Sequence, residues 1–98
     1  MIAISRNGIP IRLPDDRWNH IIDRHSILAN QQQLVLDTLE NPTRILLGND
    51  SAFLALREIE PKRWLVVVYR EDKNDGFVIT AFPTRRINSL NQRQQLWP

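Results

Sequence analysis

Trp64-Leu65-Val66-Val67-Val68-Tyr69-Arg70, followed by Glu71-Asp72-Lys73-Asn74-Asp75-Gly76 and then Phe77-Val78-Ile79-Thr80-Ala81-Phe82, is the stretch whose reading decides the fold of this 98-residue chain. β-Branched and aromatic residues crowd both ends, as strands favour. Asp72 to Gly76 is a strong turn signal between them. Leu65 to Val68 is continuously apolar, which predicts a central strand covered on both faces. Period-two alternation puts Thr80 on the face of Val78 and Phe82. Which strand-mates share that face depends on the turn register, which local sequence leaves open.

Outward from this hairpin, Thr43 to Leu47 and Ala52 to Ile59 also read as strands. Gly48-Asn49-Asp50-Ser51 separates them, and Glu60-Pro61-Lys62-Arg63 joins the second to Trp64. Pro14-Asp15-Asp16 opens a helix running to about His25, with proline and acids where a helix start favours them. Its apolar stripe is Trp18, Ile21 and Ile22, and His25 continues it. A second helix covers Gln31 to Glu40, and Asn41-Pro42 ends it. Ile9 to Leu13 reads as a short strand that Pro10 would confine to a sheet edge. Thr84 caps a final helix carrying Ile87, Leu90 and Gln94. The expected fold is α+β: one or two N-terminal helices packed on a four-stranded antiparallel sheet, with a C-terminal helix.

The length fits one domain over residues 1–98. Cysteine is absent, which excludes disulfides, thiolate metal sites and cysteine nucleophiles and fits a reducing cytoplasm. No apolar run is long enough to span a membrane, and the N-terminus lacks a secretory pattern. A formal charge of +2 tolerates nucleic acid as a partner without requiring it. The three glycines are not clustered, so a glycine-rich phosphate loop is ruled out, and no serine has a nucleophile-elbow context.

Chemistry concentrates in Arg17-Trp18-Asn19-His20-Ile21-Ile22-Asp23-Arg24-His25, which holds both histidines of the chain. Histidine trades protons near neutral pH, and arginine grips phosphate in a fixed fork. His20 and His25 are thus either general acid/base groups or, respectively, a surface residue and a core histidine. Their spacing of five is poor for a shared metal, and they point about 140° apart on a helix turning roughly 100° per residue. They share one site only if the helix ends near His25 or the site wraps around it; otherwise one of them is structural, and that one is expected to be His25, nearer the sheet. Thr84-Arg85-Arg86 is a second candidate, because two arginines in a first helical turn oppose the helix dipole unless an anion sits there. The plain alternative is a solvated basic turn. Arg70 and Thr80 are a third, to be set against a surface charge and a residue chosen for β propensity.

As a set, the helix Arg17-Trp18-x-His20-Ile21-x-x-Arg24-His25, Asn41-Pro42, the strand Trp64 to Tyr69 and the strand Phe77-Val78-Ile79-Thr80-Ala81-Phe82-Pro83-Thr84 resemble the small phage- and plasmid-associated nuclease domains of the barnase/EndoU/colicin-D/RelE-like superfamily. The resemblance spans roughly residues 9–88. It implies metal-independent cleavage of RNA with no cofactor. The ribose 2′-OH attacks phosphorus to leave a 2′,3′-cyclic phosphate, in a toxin held by a cognate antitoxin or immunity protein. Carried onto this chain, it assigns His20 or His25 to base and acid. Arg70 and Arg85 stabilise the phosphorane, with Arg24 a lesser candidate, and Thr80 bonds the phosphate or orients a histidine. Tyr69 stacks a base, and Thr84 joins Arg85 in binding substrate. The competing classes are a non-catalytic nucleic-acid-binding or adaptor domain and a phage structural or interaction protein.

Overall fold

The computed structural model describes all 98 residues. Its centre is the expected hairpin: β5 (Arg63–Glu71) pairs antiparallel with β6 (Gly76–Thr84). β4 (Phe53–Glu60) flanks β5 on its other side and pairs in turn with β3 (Arg44–Leu47). β5 is the fourth of seven strands, with Leu65, Val66 and Val67 buried. Full burial of each such side chain is worth about 1.5–3 kcal/mol.

The protein is α+β, but the sheet has seven strands rather than four, in the order β1-β2-β6-β5-β4-β3-β7. The additional strands are β1 (Ile2–Ile4), β2 (Pro10–Arg12) and β7 (Gln95–Trp97). β2 runs parallel to β6, pairing Ile11 with Gly76 and Arg12 with Phe77, so the sheet is mixed. Pro10 does not place β2 at an edge, because β1 lies outside it. Proline is tolerated there as the first residue of the strand, beyond the ladder to β6. The two ends of the sheet also meet: Arg6, in the turn after β1, lies over the Trp97 ring at 4.6 Å.

α1 (Asp15–Arg24) and α2 (Gln32–Glu40) cover one face of the sheet. Trp18, Ile21, Val35 and Leu39 pack there against Leu65, Val67, Val78 and Ala81. The C-terminal helix, α3 (Ile87–Leu90), is a single turn capped by Arg86 without a side-chain bond. Thr84 does not cap it. It ends β6, and its Oγ1 accepts the Arg86 N–H at 3.1 Å. Arg85 and Arg86 precede the helix rather than occupying its first turn, so the dipole argument for them lapses.

One irregularity controls which residues face where. Val68 pairs with Thr80 and Tyr69 with Val78, leaving Ile79 as an extra residue in β6. Paired residues share a face. Val78 therefore joins Tyr69 under the helices, while Thr80 and Phe82 join Val68 and Val66 on the opposite face. The alternation expected from sequence, with Val78 on the face of Thr80, is broken by this bulge.

Tyr69 is fully buried, and its hydroxyl has no hydrogen-bond partner. Burial, and then the neighbouring Glu71 carboxylate, push its pKa far above the ordinary tyrosine value. The folded state thus holds the phenol proton more tightly than the unfolded chain does. Stability is unaffected below the unfolded pKa of about 10 and falls as pH rises beyond it. Tyr69→Phe removes an orphaned hydroxyl worth about 1–3 kcal/mol of desolvation. We expect equal or higher stability in urea unfolding at pH 7 and a weaker decline above pH 10. A large loss at pH 7 would show a partner for the hydroxyl.

Candidate functional site

The face opposite α1 and α2 carries a second apolar cluster: Leu46, Leu54, Leu56 and Val66. Ile87 and Leu90 of α3 pack over it, because the chain leaving β6 crosses this face on its way to β7. The crossing covers only part of the face. Beside it lies a cleft of about 420 Å³ with Leu54, Val68 and Ile79 in its lining, Phe82 and Leu90 along its walls, and Asn49, Asp50, Arg70 and Arg93 as its polar residues.

Both guanidiniums are fixed by the loop between β3 and β4. Arg70 Nη1 donates to the Asp50 carbonyl at 2.6 Å. Arg93 Nη1 donates to Asn49 Oδ1 at 3.2 Å and to the Leu47 carbonyl at 3.4 Å. In that loop Asp50 and Ser51 both adopt left-handed backbone, with φ of 54° and 66°. Such residues cost of order 1–3 kcal/mol each and persist only where surrounding contacts over-determine them. Each bond to the loop uses only part of a guanidinium's five donors, so both arginines keep donors for a ligand.

The structure sorts the residues singled out from sequence into several places. Arg70 lines the cleft, and Thr80 lies on the same face, in register with the lining residue Val68. His25 terminates α1, half-buried, its ring 6.2 Å from Phe82 and tilted by 39°. It is the histidine nearer the sheet, as its place on the apolar stripe implied. His20 and Arg24 are exposed on α1, and neither they nor His25 line any of the five clefts. The helix does end at His25, yet the two histidines do not converge. Thr84 and Arg85 line a separate cleft with Arg63 and Pro83. Tyr69 presents no face to a base, because it lies wholly in the core under the helices. Base stacking by Tyr69 is therefore corrected to a packing role. Sequence reasoning missed Arg93, which sits in a glutamine-rich stretch and reaches the cleft only because the α3 crossing carries it there.

No family model, no curated protein and no solved structure matches this chain. No helix is long and apolar enough to cross a membrane.

Proposed function

We propose that the chain is an endoribonuclease whose scissile phosphate binds at the Arg70–Arg93 end of the cleft. The observation that carries this reading is the convergence of two restrained guanidiniums on one apolar cleft whose Phe82 wall abuts His25. Arginine binds phosphate oxygens bidentately, and the apolar lining suits an unstacked base. The 2′-OH oxygen forms its bond to phosphorus as His25 takes its proton. The phosphorus–O5′ bond breaks, and the departing oxygen takes a proton from water. Arg70 and Arg93 stabilise the charge that builds on the phosphorane, and the Thr80 hydroxyl adds a hydrogen bond to a non-bridging oxygen. No step assigned to these residues draws on a metal or cofactor. In the toxin setting implied by the motif resemblance, an antitoxin would act by occupying this cleft.

A second reading, a nucleic-acid-binding domain without catalysis, is favoured by one observation. The histidines lie apart, so only one of them stands near the cleft. The two readings part on product. Purified protein incubated with total RNA in EDTA is expected to yield fragments ending in 2′,3′-cyclic phosphate. Arg70→Ala is expected to slow their formation by about 10²-fold or more, the scale seen when one oxyanion donor is removed. Binding with a steep salt dependence and no fragments, even with ribosomes added, would establish the binding domain instead.

A further inference from the structure

A second basic site lies at the other end of β5, and nothing in the proposed cleavage step uses it. Arg63, Pro83, Thr84 and Arg85 line an open cleft of about 350 Å³. The Arg63 side chain is 21% exposed, and its nearest carboxylate is Glu60 at 3.8 Å, too long for a hydrogen bond. Arg85 is exposed and makes no salt bridge. The Thr84 hydroxyl accepts the Arg86 N–H through its oxygen, which leaves its own proton free to donate. Arg63 and Pro83 are shared with an adjoining groove of about 220 Å³, in which Leu28, Leu34, Ile59 and the 55%-exposed Ile27 form the apolar part. Gln31 and Glu60 supply hydrogen-bonding groups at its rim. A cationic cleft fused to an apolar groove with an amide and a carboxylate fits one class of ligand, a nucleotide, with phosphate on the arginines and base in the groove.

The two sites are connected. Thr80, Phe82 and Thr84 follow one another at two-residue steps on the Arg70 face of β6, whereas Arg63 and Pro83, in step with Leu65, lie on the helix-covered face, so a ligand joining the two clefts passes round the edge of β6. β2 pairs with β6 only at Gly76 and Phe77, so no strand lies alongside β6 over this run. Arg63 and Arg70 are seven residues apart on β5, an odd separation that puts them on opposite faces, about 23 Å apart along the strand at a rise of roughly 3.3 Å per residue. That span corresponds to about seven nucleotides at the roughly 3.4 Å step of a stacked strand, and fewer if the strand is extended.

We infer that Arg63, Thr84 and Arg85, with the groove beside them, form a subsite for a nucleotide of a single RNA strand that wraps round the unpaired edge of β6, several nucleotides from the scissile phosphate. This rests on the ribonucleic-acid reading of the first cleft, but its test does not require cleavage. The probes are 2′-O-methyl RNA oligonucleotides of four and twelve nucleotides, which lack the attacking hydroxyl, and free AMP, each titrated by fluorescence anisotropy or calorimetry. Wild type is expected to bind the twelve-mer roughly tenfold or more tighter than the four-mer. Arg85→Glu is expected to cut that gain to less than about twofold and to flatten the salt slope by about 0.7, the value for one single-strand phosphate. Arg63→Ala is expected to act in the same direction. Arg85→Glu, on an exposed side chain, gives the answer should Arg63→Ala fold poorly. An unchanged length dependence in Arg85→Glu would overturn the subsite. So would AMP binding that depends on Arg85 while the twelve-mer ignores it, since that would mark a site for a free nucleotide. Length-dependent binding without any cleavage of ordinary RNA would keep the subsite and remove the nuclease.

Discussion

His25→Ala is expected to lower the rate of RNA cleavage by about 10²- to 10⁴-fold, the range for losing a positioned acid–base group, while His20→Ala stays within about threefold of wild type. The two substitutions are chemically identical and lie five residues apart, so their contrast isolates position. His25 sits at the end of α1 against Phe82, which walls the cleft. Neither histidine lines the cleft itself, but His20 faces solvent on the same helix and touches no residue of the cleft wall. Thermal unfolding of both variants separates lost chemistry from lost structure, since His25 also packs on an aromatic ring. Equal losses in both variants would return the two histidines to one shared role and overturn the assignment. Loss in His20→Ala alone would move the site to the solvent side of α1.

The second large effect is structural. Gly76→Ala is expected to destabilise the fold by more than about 3 kcal/mol, a large share of the 5–15 kcal/mol typical of a domain. A Cβ at this position would be driven into the Arg70 carbonyl and the Ile11 side chain. The carbonyl belongs to the central strand and has nowhere to go, and Ile11 is fully buried in β2. The other two glycines give a graded comparison. At Gly48 a Cβ would meet its nearest atom, the Ala52 carbonyl oxygen, at 3.1 Å, a contact that a small shift relieves. At Gly8 nothing lies within 4 Å, but φ is +81°, so alanine there costs roughly 1–2 kcal/mol of backbone strain alone. Urea midpoints should therefore rank Gly76→Ala far below the other two. A Gly76→Ala protein of near wild-type stability would mean that β2 does not pair with β6 as described.

What the sequence revealed, and what it hid, follows the range of the interactions. The four central strands, both long helices and the turns at Gly48–Ser51 and Asp72–Gly76 were legible, because periodicity, β propensity and turn residues act locally. The strand at Ile9 to Leu13 was legible as β2, but its place inside the sheet depends on the distant β6, and the three residues of β1 and of β7 hold too little pattern to detect. The Ile79 bulge was equally silent. Phe77 to Phe82 alternates well enough on paper, and only the ladder against β5 shows the extra residue. Arg70 and His25 stood out from residue type and from place on a stripe, and the structure sets Arg70 in the cleft lining and His25 beside Phe82. Arg93 had no local signal, and Tyr69 was misjudged because an aromatic residue at a strand end looks the same whether it faces solvent or core.

The contact of Arg6 with Trp97 bears on how the molecule behaves in crowded solution. Both rims of the sheet are three-residue strands, and the clasp ties the turn beside one rim to the other. Each rim therefore offers only a short row of free peptide groups to a neighbouring molecule, the condition that discourages strand-by-strand growth into aggregates. Ile2 and Ile4 nevertheless leave apolar side chains on the first rim. Resistance to aggregation thus rests on brevity and on one cation over one ring, not on a charged or proline-guarded border, and losing that single cation would expose two sticky rims together.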